Sequence, residues 1–172
     1  MRKEELEGGT TPLRTPITRD VVDHQDSMEH LKQGPARKGA RMDISPGLTA
    51  ERRQVVTPEQ TAEHLGSGSA SVFSTPSMVL LMELTALAAV DPHLPEGQQT
   101  VGIGLSVRHL APTPVGMQVR CRAELQEVNG RRLIFHVQVW DEVELIGEGT
   151  HERAIVEARR FLERAEQKGA RE

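Results

Sequence analysis

A carboxylate, a hydroxyl and an imidazole hold most of the chemical capacity of this 172-residue chain. The carboxylate is Glu83, a lone acid within the run STPSMVLLMELTALAAV, Ser74 to Val90. Burying a carboxylate is costly unless it is paired. Its ordinary explanation is an ion pair with an arginine, or a position facing solvent. Its other explanation is an acid held for work in an apolar hollow. The hydroxyl is Thr75, whose pairing with Pro76 marks it as the N-cap of a helix. A cap hydroxyl stands beside free backbone N–H groups and the positive end of the helix dipole, where an oxyanion would be stabilised. Plain capping is its ordinary role. The imidazole is His109, at the end of VGIGLSVRHL, beside the turn APTPVG. That placement suits the rim of a cavity, although an inward histidine is more often a satisfied core residue.

These groups need elements to hold them. Leu48 to Val56 reads as a first strand. Thr57-Pro58-Glu59-Gln60 has the form of a capping box and predicts a short helix to about His64. LGSGSAS reads as a flexible loop, and the run after Thr75-Pro76 as a long helix to about Val90, broken by DPHLPEG. Four strands follow. Val101, Ile103, Leu105, Val107 and His109 are expected to share one face. Met117, Val119, Cys121, Ala123 and Leu125 alternate inward. Asn129-Gly130 marks a hairpin, after which Leu133, Phe135, Val137 and Val139 share a face. LIGEGTHERAIV is the last strand, and EARRFLERAEQKG a charged helix or tail. The pattern is α+β: an antiparallel sheet wrapped around a long central helix. A helix apolar all round must be covered all round, so at least a dimer is expected.

Residues 1–41 differ from the rest. They carry few large apolar side chains and scattered charge, and are expected to form a disordered extension, with the folded domain spanning residues 42–172. Within the extension, Asp20 to Leu31 has a loose helical stripe. Met42 stands where the composition changes and has the position of an alternative start.

Composition narrows the function. The formal net charge is −4, which disfavours a nucleic-acid surface. One cysteine, Cys121, allows no internal disulfide and reads as a core residue in a reducing, cytoplasmic compartment. MRKEELEGG lacks the apolar stretch of a secretory signal, and the greasy run is too short for a membrane. No His, Cys, Asp or Glu spacing suits a metal, and Gly102 and Gly104 open no helix, so they form no dinucleotide loop. Arg108, Arg120, Arg122, Arg131 and Arg132 are outward strand or turn positions, ordinarily solvated.

The combination TPxMVxxME, VxHLAPTPVGM, GRRLxFxVxxxD and IGxGxHER, in that order across about Leu48 to Phe161, resembles the fluoroacetyl-CoA thioesterase-like family of hot-dog-fold proteins. The resemblance implies a dimer with active sites at the subunit interface. It implies catalytic roles for Thr75, Glu83 and His109, which would meet in a hollow between two subunits. It implies substrate-binding roles for Gly102, through its backbone N–H, and for Arg153. Glu83 would then be a general base or a nucleophile; the residues leave both open. The family's fluoroacetyl-specific member has aromatic residues before the central helix. Here that segment is GSGSAS, which points to a different small or medium acyl group.

The leading expectation is an acyl-CoA thioesterase acting on a small or medium acyl-CoA without metal or other cofactor, as a homodimer or higher even oligomer. The rivals are a non-catalytic hot-dog module that binds acyl-CoA as a sensor or partner, and a hot-dog dehydratase or hydratase.

Overall fold

The structure is a computed structural model that describes residues 44–170, so the expectations for the N-terminal extension lie outside the described residues. The described chain forms β1 (Thr49–Val55), α1 (Thr75–Val90), β2 (Gln98–His109), β3 (Gln118–Asn129), β4 (Arg132–Trp140), β5 (Leu145–Glu157) and α2 (Ala158–Gly169). The strands make one antiparallel sheet in the order β1-β3-β4-β5-β2. This is the hot-dog arrangement the sequence resemblance implied, with α1 lying in the curve of the sheet.

Period-two alternation builds the core. Val119, Cys121, Ala123 and Leu125 of β3, with Leu133, Phe135, Val137 and Val139 of β4, are all buried. Opposite them α1 inserts Met78, Leu81, Met82, Ala86, Ala89 and Val90. With so few aromatics in the chain, aliphatic side chains and methionines fill this space. Burial pushes the Cys121 thiol up to about 11, as suits an inert core residue. Asn129 pairs with Arg132 across the β3–β4 turn, where Gly130 takes φ 62°.

Two expectations change. The capping box at Thr57 exists, with Thr57 N–H donating to Gln60 Oε1 at 3.1 Å. It opens only a single 3₁₀ turn, Pro58–Gln60, because Thr61 is drawn into a bridge with Phe73. LGSGSAS is pulled back with it: Ser67 N–H donates to Ala62 O at 2.9 Å and Glu63 N–H to Ala70 O at 3.1 Å.

The second change is in β2. A bulge between Gly102 and Gly104 shifts its register against β5, so one extra residue, Ile103, breaks the alternation. Leu105, Val107 and His109 share the inward face as expected. Before the bulge that face belongs to Thr100 and Gly102, and Val101 points outward.

The outer face carries four strand arginines in ion pairs, three across strands, Arg108 with Glu148, Arg120 with Glu51 and Arg132 with Glu152, and one within a strand, Arg122 with Glu124. Such exposed pairs contribute at most about 1 kcal/mol each. The sheet covers α1 on one side only: Leu80 remains 55% and Leu84 37% exposed.

Candidate active site

The start of α1 is held by Ser74, not Thr75. Ser74 Oγ accepts from Ser77 N–H at 3.1 Å and bonds Ser77 Oγ at 2.8 Å, and Ser74 N–H donates to Gln60 O at 3.0 Å. Ser74 is therefore the N-cap. Thr75 stands one place further on, and the expectation that it caps the helix is corrected. The consequence is chemical. Pro76 has no N–H and the Ser77 N–H is occupied, so the helix offers an oxyanion little beyond the Thr75 N–H. Relieved of capping, the Thr75 hydroxyl lies 2.9 Å from His109 Nδ1.

His109 reaches that hydroxyl from the last residue of β2. Its Nε2 is buried and has no hydrogen-bond partner among the described residues. Burial pushes its pKa below the usual histidine value of 6.5, and the nearby Ala111 backbone offsets this in part. Beside the pair opens a cavity of about 320 Å³, walled by Ala62, Ser67, Val72, Phe73 and Ala111.

Glu83 occupies a second cluster. Its side chain is 41% exposed, so the desolvation anticipated for a buried acid is only partial. The carboxylate lies on the backbone of Gly102: a Cβ there would come within 2.7 Å of Glu83 Oε1. The imidazole nearest to it is not His109 but His151, whose Nε2 is 3.9 Å from Glu83 Oε1. Among the described residues no hydrogen bond or ion pair links Glu83 to His109 within one protomer. Helix geometry explains this, since eight residues separate Thr75 from Glu83 by about 12 Å of helix rise.

Arg153 faces the same cluster from β5, paired in register with Gly102. It is buried, 6% exposed. Its Nε donates to Thr100 Oγ1 and its Nη2 to Thr100 O, both at 2.9 Å, and its Nη1 lies 3.1 Å from His151 Nε2. Sequence reasoning named Gly102 and Arg153 here but missed Thr100 and left His151 without a role. The i, i+2 spacing of His151 and Arg153 puts both on one strand face; Thr100 joins them only because β2 and β5 pair.

The profile of the fluoroacetyl-CoA-specific thioesterases matches residues 56–159. The fluoroacetyl-CoA thioesterase of Streptantibioticus cattleyicolor is 41% identical over 120 residues, covering 66% of this chain and 86% of that protein. This chain belongs to that family. Solved structures agree. A variant of the fluoroacetyl-CoA-specific thioesterase superposes with a TM-score of 0.70 at 36% identity, over 74% of this chain and 99% of that one. A Thermus thermophilus protein of the thioesterase superfamily gives 0.70 at 31% identity, over 77% and 100%. The family's motif residues thus fall, in this member, into two clusters of one protomer: Thr75 with His109, and Glu83 with Gly102, His151 and Arg153.

Proposed function

We propose that the protein hydrolyses a small or medium acyl-CoA thioester to the free acid and CoA. The observation that carries this reading is the Glu83 carboxylate laid against the Gly102 backbone, in a chain of this family. A thioester carbonyl seated there would have its carbon next to the carboxylate and its oxygen within reach of the Gly102 N–H. In the general-base version Glu83 takes a proton from water, the water oxygen bonds to the carbonyl carbon, and the C–S bond breaks as the thiolate leaves and is protonated. In the nucleophilic version a Glu83 oxygen bonds to the carbon first, the C–S bond breaks and the CoA thiolate leaves and is protonated, and water then opens the anhydride to the free acid and the Glu83 carboxylate. Thr75 and His109 hold and move the proton. Acid, base and hydrogen-bond donors supply this chemistry without a resident metal or redox cofactor. No helix among the described residues is long and apolar enough to cross a membrane, and we place the enzyme in the cytoplasm.

The two clusters become one site in a homodimer. β2 lies at the sheet edge with Ile103 53% and Leu105 39% exposed. A long apolar edge seeks a partner strand. Symmetric antiparallel pairing about Ser106 sets Leu105 against the partner's Val107 and Gly104 against the partner's Arg108. With Ile103 as the bulged residue, Gly102 then falls opposite the partner's His109. Each match joins residues of the same sheet face, as antiparallel pairing requires. Glu83 of one protomer thereby meets the Thr75–His109 pair of the other.

The cavity beside Thr75 supports an acyl group larger than fluoroacetyl. Small side chains, Ala62, Ser67 and Ala111, make part of its wall, and among the described residues Phe73 is the one aromatic carbocycle that lines it. The test is a panel from acetyl-CoA to octanoyl-CoA assayed for free thiol, with Glu83→Gln and His109→Asn beside wild type. Turnover by wild type and loss in both variants is expected. Tight binding of acyl-CoA with no release of thiol would instead favour a sensor.

A further inference from the structure

His151 is 1% exposed, and both of its ring nitrogens are engaged. Nδ1 lies 3.1 Å from the Gly104 carbonyl oxygen, which only accepts, so Nδ1 carries a proton. Nε2 lies 3.1 Å from Arg153 Nη1, which only donates, so Nε2 presents its lone pair. The network assigns one neutral tautomer. An imidazolium would turn its second proton toward a guanidinium. Burial, and then the Arg153 charge, push the His151 pKa down; the Gly104 carbonyl and the carboxylates of Glu83 and Glu152 oppose them. The 3.9 Å approach to Glu83 is therefore not an ion pair.

The other end of the guanidinium is anchored twice on Thr100, and three of its five N–H groups are committed. Buried and so held, the Arg153 guanidinium is fixed in place beside the Glu83 cluster. It acts on Glu83 through the field of a fixed charge, screened less than a surface charge would be. His151 fills the space between them, with its Cε1 3.3 Å from the point where a Gly102 Cβ would stand.

We propose that Thr100, Arg153 and His151 form one buried positioning array that fixes the Glu83 carboxylate over Gly102. In it His151 is a neutral spacer and Arg153 a fixed countercharge. The proposal rests on the reading of Glu83 as the reactive acid.

The test uses the full chain and the best substrate of the acyl-CoA panel. His151→Asn keeps a donor for Gly104 O but loses the lone pair at Nε2. It should lower kcat about tenfold or more while KM stays within about threefold. Thr100→Val and Arg153→Lys, which loosen the array from its other end, should do the same and carry the test if His151→Asn does not fold. In a Glu83→Gln background each of these changes should add nothing, because it acts through Glu83. Losses that multiply in the double variants, or variants that lose melting temperature with kcat intact, would overturn the proposal. Nitrogen-15 NMR of the resting enzyme should show His151 with its proton on Nδ1 at neutral pH; an imidazolium or an Nε2–H tautomer would overturn it as well. Absence of turnover by wild type on every acyl-CoA would instead remove the hydrolase reading, and the NMR result would still decide the tautomer.

Discussion

Thr75 Oγ1 stands 2.9 Å from His109 Nδ1, and it is free to do so because its neighbour Ser74 caps the helix. The two hydroxyls therefore have separable tasks. Ser74→Ala should cost about 1 kcal/mol of stability, with kcat preserved in the folded fraction. Thr75→Val should leave the melting temperature nearly unchanged and lower kcat/KM about tenfold to hundredfold. Denaturant unfolding and thiol-release kinetics on the pair check both halves.

Gly102→Ala tests where the Glu83 carboxylate sits. The new methyl would meet Oε1 at 2.7 Å, and the flexible end of the glutamate would give way before the backbone. Fold and melting temperature should survive, while kcat falls about tenfold or more. A fully active Gly102→Ala enzyme would show that the carboxylate has no need of that seat.

Mixing two inactive variants tests the shared site. If Glu83 acts with the partner's His109, a Glu83→Gln/His109→Asn heterodimer has one intact site and one doubly damaged. After dissociation and reassembly of equal amounts, about one quarter of wild-type activity should return. Sites confined to one protomer would return none. Leu105→Lys, on the β2 edge, should lower both the dimer fraction in sedimentation and the activity.

The histidines predict how stability responds to pH. His109 and His151 both have folded pKa values below 6.5, so the unfolded chain binds more protons than the folded one as pH falls through about 6.5. Stability is greatest above that value and is lost toward pH 5, in the direction opposite to that of a histidine stabilised by a carboxylate. Melting temperature followed from pH 8 to 5 should fall, and His109→Asn should fall less steeply. His109 should also remain unprotonated at neutral pH, so kcat/KM should be flat there and drop only on the acid side.

Removal of residues 1–41 should leave melting temperature and thiol release largely intact, because the core among the described residues is assembled from Ile44 onward. A large loss of either in the truncated protein would assign those residues a structural task.

Elements set by local pattern were legible in the sequence. The alternation of Leu133, Phe135, Val137 and Val139, the Asn129-Gly130 turn and the apolar run of α1 each follow from contacts a few residues away. The bulge at Ile103 was not, because an extra residue is defined only against the strand beside it; the single face expected from Val101 to His109 failed for that reason. The cap went to Ser74 because Ser74 is also tied to Gln60, seen only once the chain has turned back on itself.

The site divides in the same way. The chain's order of residues carries which groups are present, acid, hydroxyl, imidazole and guanidinium, and which face of its own element each one takes, since helix and strand periods are local properties. Which of them touch was settled by packing. The pairing of β2 with β5 gave Thr100 to Arg153 and Gly104 to His151, and the curve of the sheet around α1 gave His109 to Thr75 and left Glu83 to Gly102. Those contacts join residues tens of positions apart, so their geometry depends on register and curvature that no short stretch of the chain contains.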